Sequence, residues 1–219
     1  MENLKLSCFA SDVNPRKMEI LRRYLLPGRV LDIGCGNGLY GLEIVAQGGS
    51  VLQLDVAERR DPRARHLPFI EMDAHRLDMI DGCFDDILAF DIMEHLDDDG
   101  FFLTQIRRIC RGRLFLSVPN ADDEQPRRIS LTHIHHTDKT HRRTYTSEML
   151  CQLLEYHGFD AILIQPQLNE ALPYFANVLA KESTLAKASA RLISLQCLLL
   201  DRLGLFENRC IADWLCVAE

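Results

Sequence analysis

The chain has 219 residues, 47% of them hydrophobic and 26% charged, the proportions of an ordinary globular protein and not of a disordered or fibrous one. That length supports one α/β domain with a buried core and is short for two. A net charge of −7 argues against broad nucleic-acid binding, although arginines group locally at 107–113 and at 127–143.

Residues 15–26 have helical spacing, with Met18, Leu21, Leu25 and Leu26 on one side, and Pro27-Gly28 ends them. A strand from Arg29 to Ile33 follows, then a glycine-rich loop, a helix from Leu39 to Gln47 and a stop at Gly48-Gly49. Ser50 to Val56 predicts a second strand, and Phe69 to Met72 a third that ends at Asp73. Phe84 to Phe90 is an apolar run interrupted only by Asp85 and Asp86, as expected of a central parallel strand buried on both faces. Asp98 to Cys110 predicts a helix and Arg113 to Val118 a fifth strand, closed by Pro119-Asn120. Residues 121–144 are polar and rich in His and Arg; Thr146 and Glu148 then open a helix that runs to His157 and stops at Gly158. Phe159 to Gln165 predicts a sixth strand, residues 166–208 a mostly helical insertion, and Cys210 to Ala218 the last strand. Strands alternating with helices give an α/β fold. The expected form is a doubly wound, mostly parallel seven-stranded sheet with helices on both faces and an antiparallel last strand. It occupies one domain over residues 1–219.

The loop after the first strand is the most informative segment. Gly34, Gly36 and Gly38 stand at alternate positions after Val-Leu-Asp32-Ile, which lets backbone approach an extended ligand and permits positive φ. Two ligands fit the pattern. Gly36 to Gly41 satisfies G-x-G-x-x-G, and Asp55 lies 19 residues after Gly36, close to the spacing of a dinucleotide fingerprint. Taken from Gly34 to Gly38 with Asp32 before it, the same loop resembles motif I of the class I S-adenosylmethionine-dependent methyltransferases.

The order of the later segments separates the two. Asp32 with Gly34 to Gly38, an acid ending strand two at Asp55, the Asp73-Ala74 pair after strand three, and Phe84-Asp-Asp-Ile-Leu-Ala-Phe90-Asp91-Ile-Met-Glu94-His95-Leu96 follow one another. Over residues 28–165 this succession resembles the class I S-adenosylmethionine-dependent methyltransferases. The resemblance implies S-adenosylmethionine as the cofactor. It assigns Gly34, Gly36 and Gly38 to backbone contact with the methionine and ribose, and Asp32 to holding the loop or the ammonium. It assigns Asp55, with Val56 beside it, to the ribose hydroxyls, Asp73 and Ala74 to adenine, and Phe90 to a place along the ligand. A dehydrogenase reading lacks a second domain and a Tyr-x-x-x-Lys pair.

Methyl transfer to oxygen gains from a nearby base, most often histidine. His133, His135, His136 and His141 crowd one loop, and His95 follows strand four. His141 is the leading candidate for the base and His95 the second, with a small-molecule hydroxyl as the acceptor. A polar loop whose histidines bond only backbone and carboxylates is the plain alternative. No metal is assigned, although Glu94, His95 and the loop histidines form a competing cation site. Asp91-Ile-Met-Glu94-His95 is similar to the pattern of the metal-dependent RNA 3′-terminal 2′-O-methyltransferases, but with Asp at its first acid and no RNA-binding module. A non-catalytic methyltransferase-like binding domain is the remaining alternative; the intact acids and glycines oppose it.

Eight cysteines without a C-x-x-C pair suit free thiols in a reducing cytoplasm. No secretory leader is visible, and no run approaches the ~18 apolar residues of a spanning helix. Leucines 185, 192, 195 and 199 share one face of the helical insertion, which is expected to pack on the domain or cap the site; the apolar stretch from Leu192 to Phe206 leaves a lipid-linked substrate or a homodimer contact open.

Overall fold

The structure, a computed structural model, describes residues 13–121, 140–170 and 209–219, together with residues 196, 199 and 203. Seven strands form one sheet: β1 (Arg29–Ile33), β2 (Ser50–Asp55), β3 (Phe69–Glu71), β4 (Asp86–Phe90), β5 (Leu114–Pro119), β6 (Ala161–Glu170) and β7 (Arg209–Ala218). Their order is β3-β2-β1-β4-β5-β7-β6. Pairing is parallel from β3 through β5, and β7 runs antiparallel to both β5 and β6. The chain winds outward from β1 in one direction and from β4 in the other. Strand order therefore reverses between β1 and β4, the crevice where open α/β sheets bind ligands. The expected fold class holds.

Alternation along each strand builds two apolar layers. Leu31, Ile33, Leu54, Ile87, Ala89, Leu116 and Cys216 face one layer with α3 (Asp99–Ile109) and α4 (Ser147–Tyr156). Val30, Val51, Leu88, Phe90, Leu215 and Val217 face the other, with α1 (Pro15–Tyr24) and α2 (Leu39–Ala46). Helices α1, α3 and α4 start on side-chain caps, each satisfying otherwise orphaned N–H groups. Asn14 accepts from the amides of Arg16 and Lys17, Asp98 from that of Phe101, and Thr146 from that of Met149.

Several expectations change. Leu26 stands exposed beyond the end of α1, while Lys17 and Ile20 are buried in its place. Strand β4 begins at Asp86, and Phe84 makes only an isolated bridge to Cys110. Short 3-10 helices at Ala74–Met79 and Met93–His95 had no periodicity from which to be read. Residues 166–170 belong to β6 and not to the helical insertion; Pro166 is tolerated because β6 is an edge strand. Most of the insertion, and the loop carrying His133, His135 and His136, lie outside the described residues.

Candidate active site

Strand β1 delivers the glycine loop to the carboxyl edge of the sheet. The amides of Gly34 and Cys35 both donate to the Leu54 carbonyl, at 2.7 and 3.0 Å, which ties the loop to β2. Gly34, Gly36 and Gly38 have φ of +67°, +53° and +72°, the left-handed region that glycine enters without a Cβ penalty. A Cβ on Gly34 would stand 1.9 Å from Ile92 Cδ1, whereas one on Gly36 would meet nothing within 4 Å. The loop is therefore closed beneath Gly34 and open beside Gly36, a cradle with room for a ligand.

Asp55 ends β2 next to that opening. Its Oδ2 accepts from the Gly36 amide at 2.9 Å and its Oδ1 from the Val56 amide at 2.7 Å. Each oxygen keeps a lone pair, so two hydroxyl donors can still be accepted. Asp32 lies deeper, 3% exposed. Its Oδ2 accepts from Gln53 Nε2 at 3.0 Å, and the same amide group donates to the Gly38 carbonyl at 2.9 Å. Arg60 donates in turn to Gln53 Oε1 at 3.1 Å and to the Leu67 carbonyl at 2.9 Å, with Glu58 on its outer face. Burial raises the Asp32 carboxyl to about 6, against the opposing effect of the Gln53 bond. Asp32 thus anchors the loop from below through Gln53.

Asp73 sits past β3 as the N-cap of its 3-10 helix and accepts from the His75 amide and Nδ1 at 2.9 and 2.7 Å. These bonds hold its carboxyl below the ordinary range. Ala74 beside it is buried. Phe90 is packed between layers, its ring edge-on to Tyr40 at 5.2 Å and under Lys17 Nζ at 5.2 Å. Helix α1 thereby covers the end of β4.

The other side of the crevice is built by β4, β5 and the segment after Thr140. The Arg142 amide donates to the Glu94 carbonyl at 2.9 Å, and the Tyr145 amide to Pro119 O at 3.0 Å. Trp214 Nε1 donates to Asn120 Oδ1 and to the Tyr145 carbonyl, at 2.9 and 3.0 Å. This pinning brings together His95 and His141, ring centroids 4.6 Å apart and nearly perpendicular. Thr140 Oγ1 lies 3.0 Å from His95 Nδ1. Glu94 joins them, with one ligating atom from each residue all within 4.8 Å of one another. Its carboxyl is raised well above the ordinary range, first by burial and then by the charge of Asp91. Such a set can accept a proton or hold a cation.

Sequence reasoning missed Gln53, Arg60 and Lys17. Gln53 had a signal, a polar residue between Leu52 and Leu54 in a buried strand. Lys17 also had one, standing three and four residues before buried Ile20 and Leu21 on the same helix face. Its ammonium bonds Asp91, whose carboxylate accepts from Ser117 Oγ at 2.6 Å. Arg60 had none, because its partners come from the fold.

The model of the methyltransferase domain family matches residues 9–164. The chain is 30% identical over 117 residues to a ubiquinone biosynthesis O-methyltransferase of Rhizobium etli, covering 49% of this chain and 44% of that one. It is 30% identical over 158 residues to an uncharacterised 37.1 kDa protein in a transposon of Streptomyces fradiae, covering 64% and 46%. It spans under half the length of these curated relatives. Two solved structures share the fold. One is a 1,6-didemethyltoxoflavin N1-methyltransferase of Burkholderia thailandensis with bound S-adenosylhomocysteine (TM-score 0.58, 23% identity, covering 74% of this chain and 73% of that one). The other is an S-adenosylmethionine-dependent methyltransferase of Archaeoglobus fulgidus (TM-score 0.59, 22% identity, 93% of each chain).

Proposed function

Because the chain belongs to the methyltransferase domain family, we propose that it is an S-adenosylmethionine-dependent enzyme that methylates a hydroxyl oxygen of a small molecule. The observation that carries this reading is the placement of the His95–His141 pair at the end of β4, the strand next to the one that delivers the glycine cradle. The names of the ubiquinone biosynthesis relatives support oxygen as the methylated atom.

S-adenosylmethionine supplies a methyl group on a positively charged sulfur. Asp55 would take the ribose hydroxyls, Asp73 the adenine amino group with the Ala74 backbone beside it, and Gly34, Gly36 and Gly38 the tail. Val56 supports this set through its amide on Asp55. Asp32 holds the loop in shape and leaves the ligand to the backbone. On the other side of the crevice, His141 removes the hydroxyl proton, and His95, steadied at Nδ1 by Thr140, stands against it as its neighbour. The remaining contribution is alignment of nucleophile and methyl and exclusion of water, for which α1 closes over Phe90 and Asp91.

The cytoplasm is the proposed setting. Cys35, Cys83, Cys110, Cys151 and Cys216 are free thiols, and burial pushes those of Cys110 and Cys216 up to about 11 and about 12, which keeps them unreactive. Among the described residues no helix is long and apolar enough to cross a membrane. The test is calorimetry with S-adenosylhomocysteine, followed by an acceptor screen with methyl-labelled cofactor. Binding of NAD in place of S-adenosylhomocysteine would overturn the reading.

A further inference from the structure

Two buried oxygen acceptors, one after β4 and one on β6, have no donor among the described residues. Glu94 is 1% exposed and Gln167 is 6% exposed. Among the described residues, neither Glu94 Oε2 nor Gln167 Oε1 has a hydrogen-bond partner. Buried polar atoms are nearly always satisfied, and one left open forfeits its full hydration. The two atoms come from different parts of the chain, so a local irregularity does not account for both.

Asp213 links them. It is the register partner of Gln167 on β6 and of Pro119 on β5, so the side chains of Asp213 and Gln167 share a face of the sheet. That face is the one that carries Leu215, Val217 and Phe90 against α1. Asp213 is buried, and its charge, like that of Asp91, bears on Glu94. Lys17 opposes them from α1, but its ammonium is bonded to Asp91. Glu94 thus stands within 4.8 Å of the His95–His141 pair, under the charges of Asp91 and Asp213, and Gln167 lies opposite Asp213 on the neighbouring strand.

A neutral hydroxyl offers one donor and no charge. A protonated amine offers three donors and a positive charge, which suits Glu94, Asp213 and Gln167 together. We propose that the acceptor is a hydroxy-amine, whose ammonium group seats against Glu94, Asp213 and Gln167 while its hydroxyl meets His141. The amine anchors the molecule and is not the atom methylated. This rests on the methyltransferase reading above.

The test uses the full chain with methyl-labelled cofactor and matched acceptors: glucosamine beside N-acetylglucosamine, and 3,4-dihydroxybenzylamine beside its N-acetyl form. Cofactor binding is first measured by calorimetry with S-adenosylhomocysteine, and its absence would sink the methyltransferase reading itself. With binding intact, the amines should be bound or methylated at least about tenfold better than their acetylated partners, because a site built for a donor rejects the analogue lacking it. Asp213→Asn and, separately, Gln167→Leu should shrink that preference while leaving S-adenosylhomocysteine affinity unchanged. The proposal is overturned if the acetylated forms serve as well, if the preference survives both variants, or if no amine binds at millimolar concentration. Stoichiometric binding of manganese alone that displaces the amines would also overturn it, in favour of a cation site.

Discussion

The two sides of the crevice are made to different rules. On the β1–β2 side the buried side chains are tied to one another: Asp55 takes two amides, Asp32 takes Gln53, and Gln53 takes Arg60. On the side formed by β4, β5, β7 and β6, buried Glu94 and Gln167 each keep an oxygen without a donor among the described residues. The first side is finished before any ligand arrives, which is what preorganised binding of a fixed cofactor requires. The proposed acceptor would complete the second.

The hardest blow to the finished side is Asp55→Ala. It removes the acceptor for the Gly36 and Val56 amides as well as the proposed acceptor for the ribose. Two charge-assisted bonds at about 1.5–3 kcal/mol each correspond to a loss on the order of 10²–10⁴ in S-adenosylhomocysteine affinity, measurable by calorimetry. On the open side, His141→Ala should leave that affinity intact and lower turnover by about 10²-fold or more. Equal turnover in the variant would remove His141 as the base and break the contrast between the two sides.

A smaller effect lies under the loop. Burial raises the folded-state value of Asp32 to about 6 from 3.8. The folded protein therefore keeps this proton to a higher pH than the unfolded chain does. Ionising Asp32 costs stability progressively from about pH 4 to about pH 6 and by a constant amount above that. The difference in melting temperature between Asp32→Asn and the native chain should rise across that window in favour of the variant, and level off beyond it. A flat difference would place the charge of Asp32 in contact with water. The smallest expected effect is that of a chelator. With His141 as the base, ethylenediaminetetraacetate should leave turnover unchanged, and a loss restored by magnesium or manganese would make Glu94, His95 and His141 metal ligands.

Much of the finished side could be read from the chain. Its strands are short apolar runs stopped by glycine or an acid, and Gly34, Gly36 and Gly38 announce their loop because few other residues accept positive φ in succession. Less of the open side could. Glu94 and His95 were visible as residues, but the ring contact between His95 and His141 joins positions 46 apart through a loop with no period of its own. Pro166 made β6 look shorter than it is, since a proline argues against a strand until the strand is known to be an edge.

The sequence by itself determined the order of the elements, the cradle and the acids at the strand ends, because those follow from period, turn residues and spacing along a few neighbours. Tertiary structure decided which buried groups found partners. Gln53 reaches Asp32 across 21 residues, Lys17 meets Asp91 across 74, and Trp214 meets Asn120 across 94. Those pairings depend on strand order and register, which no local stretch of sequence encodes.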